Sequence, residues 1–194
     1  MAETDPAVQN LLDIEGCRAA TIRYCRGADR LDAELISSAF HPDGNDGPHN
    51  CTGAEAGELV VKALTNTAIN SENSLFFGAR STQHFVTTQT IEVYGDTAAG
   101  ESYFTTLHFG TRDGVRLRLQ TYGRWIDRFE KRNGEWRISD RRIIMHLVDE
   151  NAPPDGPWMA SGGTLADAGD APRDKSDPSY GNFAGAKRGE KRLD

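Results

Sequence analysis

The chain has little of what marks specialised chemistry. It carries three cysteines in 194 residues, Cys17, Cys25 and Cys51, and no two of them form a CxxC pair. That excludes the common zinc and dithiol motifs, and an odd count predicts free thiols in place of a disulfide framework. Cys17 and Cys25 fall in a helical apolar pattern, where a thiol behaves as a small buried hydrophobe. There is no P-loop and no GxSxG, and "GAEAGE" lacks the strand that a dinucleotide fingerprint needs before it. No apolar run approaches the ~20 residues that span a bilayer. The start, "MAETDPAVQN", lacks the basic residues and apolar core of a secretory signal, so a cytoplasmic protein without a membrane partner is expected. Positive charge is also short: 22 Lys and Arg against 29 Asp and Glu leave a net charge of −7. A nucleic-acid partner is therefore not expected, and the basic "AKRGEKRLD" at the end reads as a solvated tail.

What is present fits a soluble globular domain, with 37% hydrophobic and 26% charged residues. Thr4 or Asp5 can cap a first helix with Pro6 in its first turn. Val8, Leu11, Leu12, Ile14, Ala19, Ile22 and Tyr24 recur at helical spacing through Arg26, and Gly27 predicts a break or bend. "DRLDAELISSAF" reads as a second helix with Leu31, Leu35, Ile36 and Phe40 on one side. "HPDGNDGPHNCTG" reads as a flexible loop, and "AEAGELVVKALTNTAIN" as a third helix.

The period then changes. Four long segments rich in Thr, Val, Ile and aromatics follow, separated by the turn signals "GD", "RDG" and "RNG". Helices first and antiparallel strands after give an α+β class: a cone-shaped α+β barrel, three N-terminal helices packed on a strongly curved, mainly antiparallel sheet. Residues 1–150 form that domain. Residues 151–194 hold five of the eight prolines and read as an extended C-terminal tail. Its Trp158, Tyr180 and Phe183 predict that it lies along the body or a neighbouring subunit.

Several residues could carry chemistry. Asp32 in "LDAEL" reads as the N-cap of helix two. Asp29 has two readings, a surface carboxylate or one turned inwards beside Gly27. In "STQHFVTTQTIEV", alternation places His84, Val86, Thr88 and Thr90 on one strand face, and Phe85, Thr87, Gln89 and Ile91 on the other. His108 stands in the next strand, and two histidines on adjacent strands lining one cavity would matter more than either alone. Of Arg141 and Arg142, one faces inwards and needs a carboxylate partner, for which Asp29 and Asp140 are candidates. His41, Asp43, Asp46, His49 and Cys51 match no zinc spacing, and a calcium loop begun at Asp43 would end on Ala54, not glutamate.

The helix end "YCRGADRLD", the closing "GRWIDRFEKRNGEWRISDRRI" and the order of elements resemble the SnoaL-like branch of the nuclear-transport-factor-like superfamily, over Val8 to Leu147. Scytalone dehydratase, bile-acid dehydratase and hexachlorocyclohexane dehydrochlorinase belong to that superfamily. In such members an aspartate ending helix one pairs with a histidine opening the first long strand. The matching positions here are Asp29 and His84. By the same resemblance Tyr24, His108 and Arg141 fall at pocket positions that bond a departing or developing oxygen. The resemblance implies a lyase needing no cofactor or metal, acting on an apolar aromatic or polycyclic alcohol by Asp–His acid/base catalysis. Dehydration is the generic reaction, and deformylation of a lignin-derived diarylpropane diol is another. An isomerase or cyclase of polyketide or steroid type, or a non-catalytic binding module, is the alternative. A homodimer or homotrimer is expected from the broad sheet face and tail aromatics.

Overall fold

A computed structural model describes residues 4–65, 81–112, 115–151 and 173–187 of the chain. Helix α1 (Pro6–Arg30) starts where the Asp5 carboxylate accepts a hydrogen bond from the Ala7 amide at 2.8 Å, with Pro6 in its first turn. Gly27 does not break the helix, and α1 continues through it to Arg30. Glycine is required there for proximity: a Cβ would lie 2.7 Å from Ile36 Cγ1 and 2.8 Å from the Ile36 amide nitrogen. The helix ends at Leu31, in the left-handed region with φ 51°. Asp32 then caps α2 (Ala33–Ser38) by accepting from the Leu35 amide at 3.0 Å. Phe40, expected on helix two, instead opens a strand.

The segment expected as a flexible loop is ordered. It supplies β1 (Phe40–Asp46), a 3-10 turn (Gly47–His49) and β2 (Cys51–Thr52). Its Gly, Pro and Asp content signals turns, but pairing outweighs it, because Asn45 and Asp46 lie in parallel register with Asp140 and Arg141. Helix α3 (Gly53–Thr65) follows, and the rest of the third helix expected from sequence lies outside the described residues.

The four long strands are β3 (Ser81–Tyr94), β4 (Thr97–Arg112), β5 (Val115–Arg132) and β6 (Glu135–Asn151). Gly95, Asn133 and Gly134 turn two of the hairpins with positive φ, which an ordinary L-residue resists. The sheet order is β2-β1-β6-β5-β4-β3, antiparallel except at β1–β6. Register shifts after Val86, Tyr122 and Arg128 coil it further. The shift after Val86 also corrects the alternation expected for β3: Val86, Ile91 and Val93 pack on the core, while Thr88 and Thr90 are exposed.

Helix α1 packs against β3 and β6, and α3 against β1. Between them Phe40, Phe104, Trp125, Phe129, Trp136 and Ile138 form the core with Cys17, Ala20, Tyr24 and Ala28 of α1. Burial pushes the thiols of Cys17 and Cys25 up to about 12, which keeps them protonated and inert at neutral pH. No helix among the described residues is long and apolar enough to cross a membrane.

Residues 173–187 form a turn and a helix, α4 (Pro178–Lys187), where an extended tail is expected from sequence. They attach to the C-terminal end of α1. Arg30 pairs with Asp177 at 2.8 Å, the Tyr180 hydroxyl donates to Asp32 at 2.6 Å, and the Arg26 guanidinium stacks on Tyr180 and Phe183. These contacts from far along the chain hold the segment against the end of α1. Trp158 lies outside the described residues.

Candidate active site

The last turn of α1 carries Asp29 to the opening of β3. There its carboxylate accepts twice from one residue: from His84 Nδ1–H at 2.6 Å and from the His84 amide at 3.1 Å. An ionised carboxylate can only accept, so the ring must donate from Nδ1, which leaves Nε2 as the reactive nitrogen. The two side chains are 16% and 8% exposed, so the pair is shielded but not sealed. Arg173 steadies the back of this junction, donating to Thr82 Oγ1 at 2.9 Å and to the Asp29 carbonyl at 3.4 Å.

His84 lines a cavity of 210 Å³ between the sheet and the helices. Tyr24, Phe104, Trp125, Leu64, Ile143 and Met145 make its wall largely apolar, and Thr106, Thr121, His108 and His49 add the polar groups. The Tyr24 ring meets His84 and Trp125 edge-on at 6.2 and 5.6 Å, and Trp125 stacks on Phe104 at 4.4 Å. Burial, followed by the charge of Asp46, raises the Tyr24 phenol well above its usual range, so it stays a donor.

His108 faces His84 with ring centroids 6.4 Å apart, and its Nε2 lies 3.1 Å from Thr106 Oγ1, which bonds Thr121 Oγ1. Burial first, then the charges of His84 and Arg173, push the His108 imidazolium down to about 3. His108 is therefore neutral near pH 7, a fixed dipole and not a proton reservoir.

Arg141 behaves differently from the expectation. Neither Asp29 nor Asp140 pairs with it. Its partner is Asp127, which the sequence reading did not single out, through two hydrogen bonds of 2.8 Å in a fully buried pair. Burial opposes its charge, but Asp127 outweighs it and holds the guanidinium above its usual range. Its Cζ sits 4.4 Å from the Trp125 ring centre and 4.6 Å from that of Tyr24, supporting the wall from behind without lining the cavity. Arg142 points to the outside. Of the named residues, the structure thus brings Tyr24, His84 and His108 to one cavity with Asp29 behind His84, and leaves Arg141 beneath.

A larger hollow of 470 Å³ lies around Asp43, Glu130 and Arg132, where the charges already satisfy one another. Among the described residues no three His, Cys, Asp or Glu side chains converge as a metal would require. His41, one of the loop residues considered for metal, instead donates from Nε2 to the Glu130 carbonyl at 2.9 Å.

Comparison with known proteins agrees with this architecture. Solved structures that match include a proposed scytalone dehydratase from Novosphingobium aromaticivorans, 19% identical, covering 79% of this chain and 99% of the other with a TM-score of 0.59. A type 3 hexachlorocyclohexane dehydrochlorinase from Novosphingobium barchaimii is 17% identical over 76% of this chain and 99% of the other, with a TM-score of 0.61. A protein of unknown function from Mycobacterium tuberculosis is 22% identical over 75% and 78% of the two chains, with a TM-score of 0.55. At these identities the likeness is one of fold. No curated protein matches the sequence. The SnoaL-like domain model matches residues 9–142, a span that includes Tyr24, Asp29, His84 and His108, and the chain belongs to the SnoaL-like domain family.

Proposed function

We propose that the protein is a lyase that eliminates water from an apolar, ring-bearing alcohol inside the cavity, with His84 as the base. The observation that carries this reading is the Asp29–His84 pair, held at 2.6 Å on the wall of an apolar cavity. Asp29 fixes Nδ1 as the donor and balances the charge that the ring acquires when Nε2 takes a proton. The substrate proton comes from carbon next to an activating group, and the Tyr24 hydroxyl donates to the oxygen on which negative charge develops. A positioned base supplies roughly 10²–10⁴-fold, with orientation and oxyanion stabilisation adding to it. The named dehydratase and dehydrochlorinase structures share the fold and point to the same class of elimination.

Cavity size bears on the finer choice. A dry cavity of about 150 Å³ takes benzene, so 210 Å³ suits one substituted ring. That favours dehydration of a one-ring alcohol over polycyclic substrates and over deformylation of a diol carrying two aryl groups. A binding module without chemistry would leave Asp29 exposed or paired with Arg141, and Asp29 instead engages His84.

The test uses β-hydroxy-β-phenylethyl methyl ketone, whose dehydration gives the strongly absorbing benzylideneacetone. Wild-type protein is expected to accelerate its formation, and Asp29→Asn or His84→Ala to return it to background. Variants that keep wild-type turnover overturn the role of the pair.

A further inference from the structure

A second Asp–His pair faces the same cavity. His49 Nδ1 lies 2.8 Å from Asp46 Oδ2, so the ring donates to a fully buried carboxylate and Nε2 is again the nitrogen left for chemistry. His49 lines the cavity together with His84. The sheet order separates β1, which ends in Asp46, from the edge strand β3, which carries His84, with β6, β5 and β4 between them. The curl of the sheet and the covering helices bring the two histidines to one cavity.

The placement of His49 is built, not incidental. Its 3-10 turn is clamped on β6, because a Cβ at Gly47 would stand 2.5 Å from the Arg141 carbonyl oxygen. Asn50 closes the turn in the left-handed region at φ 52°. Asp46 is the register partner of Arg141 on β6, and Arg141 in turn is the partner of Asp127 on β5. A buried row of carboxylate, guanidinium and carboxylate therefore crosses three strands, and the charges of Asp46 and Arg141 attract one another across it.

We infer that His49 is the proton donor to the leaving group, with Asp46 its positioning residue, so that the preferred substrate loses a hydroxyl group and not a halide. This rests on the proposed elimination. His84 Nε2 takes the proton from carbon, the C–H electron pair becomes the new C=C bond, and the C–O bond breaks. His49 enters the cycle doubly protonated, its Nδ1–H held by Asp46, and its Nε2–H passes to the departing oxygen, which leaves as water. One proton has entered His84 and one has left His49, so transfer between the two rings through solvent restores the starting state with no other reactant. A chloride leaves as a stable anion and needs no such donor, whereas hydroxide is a poor leaving group without one.

The experiment compares β-hydroxy-β-phenylethyl methyl ketone with its β-chloro counterpart, both giving benzylideneacetone. His49→Gln is expected to slow the hydroxy compound by about 10²-fold or more while leaving the chloro compound within about threefold of wild type. Asp46→Asn is expected to give the same leaving-group split to a smaller degree, which loss of folding would not produce, since that depresses both substrates equally. Equal effects on the two compounds, or none, overturn the role of His49. His84→Ala separates this from the parent reading: it is expected to abolish both reactions, and if it abolishes neither, the elimination mechanism itself fails. Wild-type protein inactive on both compounds overturns the elimination and the His49 role together.

Discussion

Asp127 and Arg141 face each other across β5 and β6, and Arg141 donates two 2.8 Å hydrogen bonds to the Asp127 carboxylate with neither side chain reaching solvent. Because Asp46 flanks the same guanidinium from β1, the arginine compensates two buried carboxylates. Removing one partner of a buried pair costs about 3–5 kcal/mol. Arg141→Met is therefore expected to destabilise more than Asp127→Leu, since it leaves Asp127 unpaired and also removes the positive charge beside Asp46, whereas Asp127→Leu leaves only Arg141 without its partner. Urea unfolding ranks them, and the reverse order would show that Asp46 does not depend on Arg141.

Gly27→Ala makes a second expectation with an instructive sign. Alanine is favoured over glycine inside a helix by about 1 kcal/mol. Here the added methyl would meet Ile36 Cγ1 at 2.7 Å and the Ile36 backbone at 2.8 Å, and backbone cannot step aside cheaply. The variant is expected to be less stable than wild type, and to lose activity as the turn bearing Asp29 shifts. A raised melting temperature would show that α2 moves freely relative to α1.

His108 predicts how stability follows pH. Its folded-state value is pushed down to about 3, mainly by burial, below the ordinary value of 6.5. Between those values the unfolded chain binds a proton that the folded chain does not, so this stability is complete above pH 6.5 and is lost as pH falls towards 3. The slope from one such group approaches about 1.4 kcal/mol per pH unit. His108→Gln is expected to flatten the melting-temperature profile in that range, and an unchanged profile would place the acid sensitivity elsewhere.

Asp29→Asn tests the pair at nearly constant structure. An amide oxygen can still accept from the His84 backbone N–H, but its NH₂ facing Nδ1 forces the other ring tautomer. Turnover is expected to fall by about 10²-fold or more, with the unfolding midpoint close to wild type. Matching losses of stability and activity would instead make Asp29 a structural residue.

Patterns carried by neighbouring residues were legible along the chain. Apolar spacing identified α1, capping identified Asp5 and Asp32, and β-rich runs with their turn signals identified the four long strands. Composition hid β1, because Gly, Pro and Asp there signal a loop until β6 supplies a pairing edge. A bend at Gly27 was the natural reading, since no local signal reports the Ile36 backbone nine positions on.

The site divides the same way. The sequence by itself determined which residues are able to do proton chemistry and the strand that bears His84, whereas the structure places Asp29, read as opening the second helix, in the last turn of α1. Only the tertiary structure decided that their side chains meet at 2.6 Å, that Arg141 turns to Asp127, and that His49 with Asp46 shares the cavity. The physical reason is one of range: caps and periodicity act over a few residues, while these contacts form between residues far apart in the chain, across a sheet whose curl depends on all its strands at once.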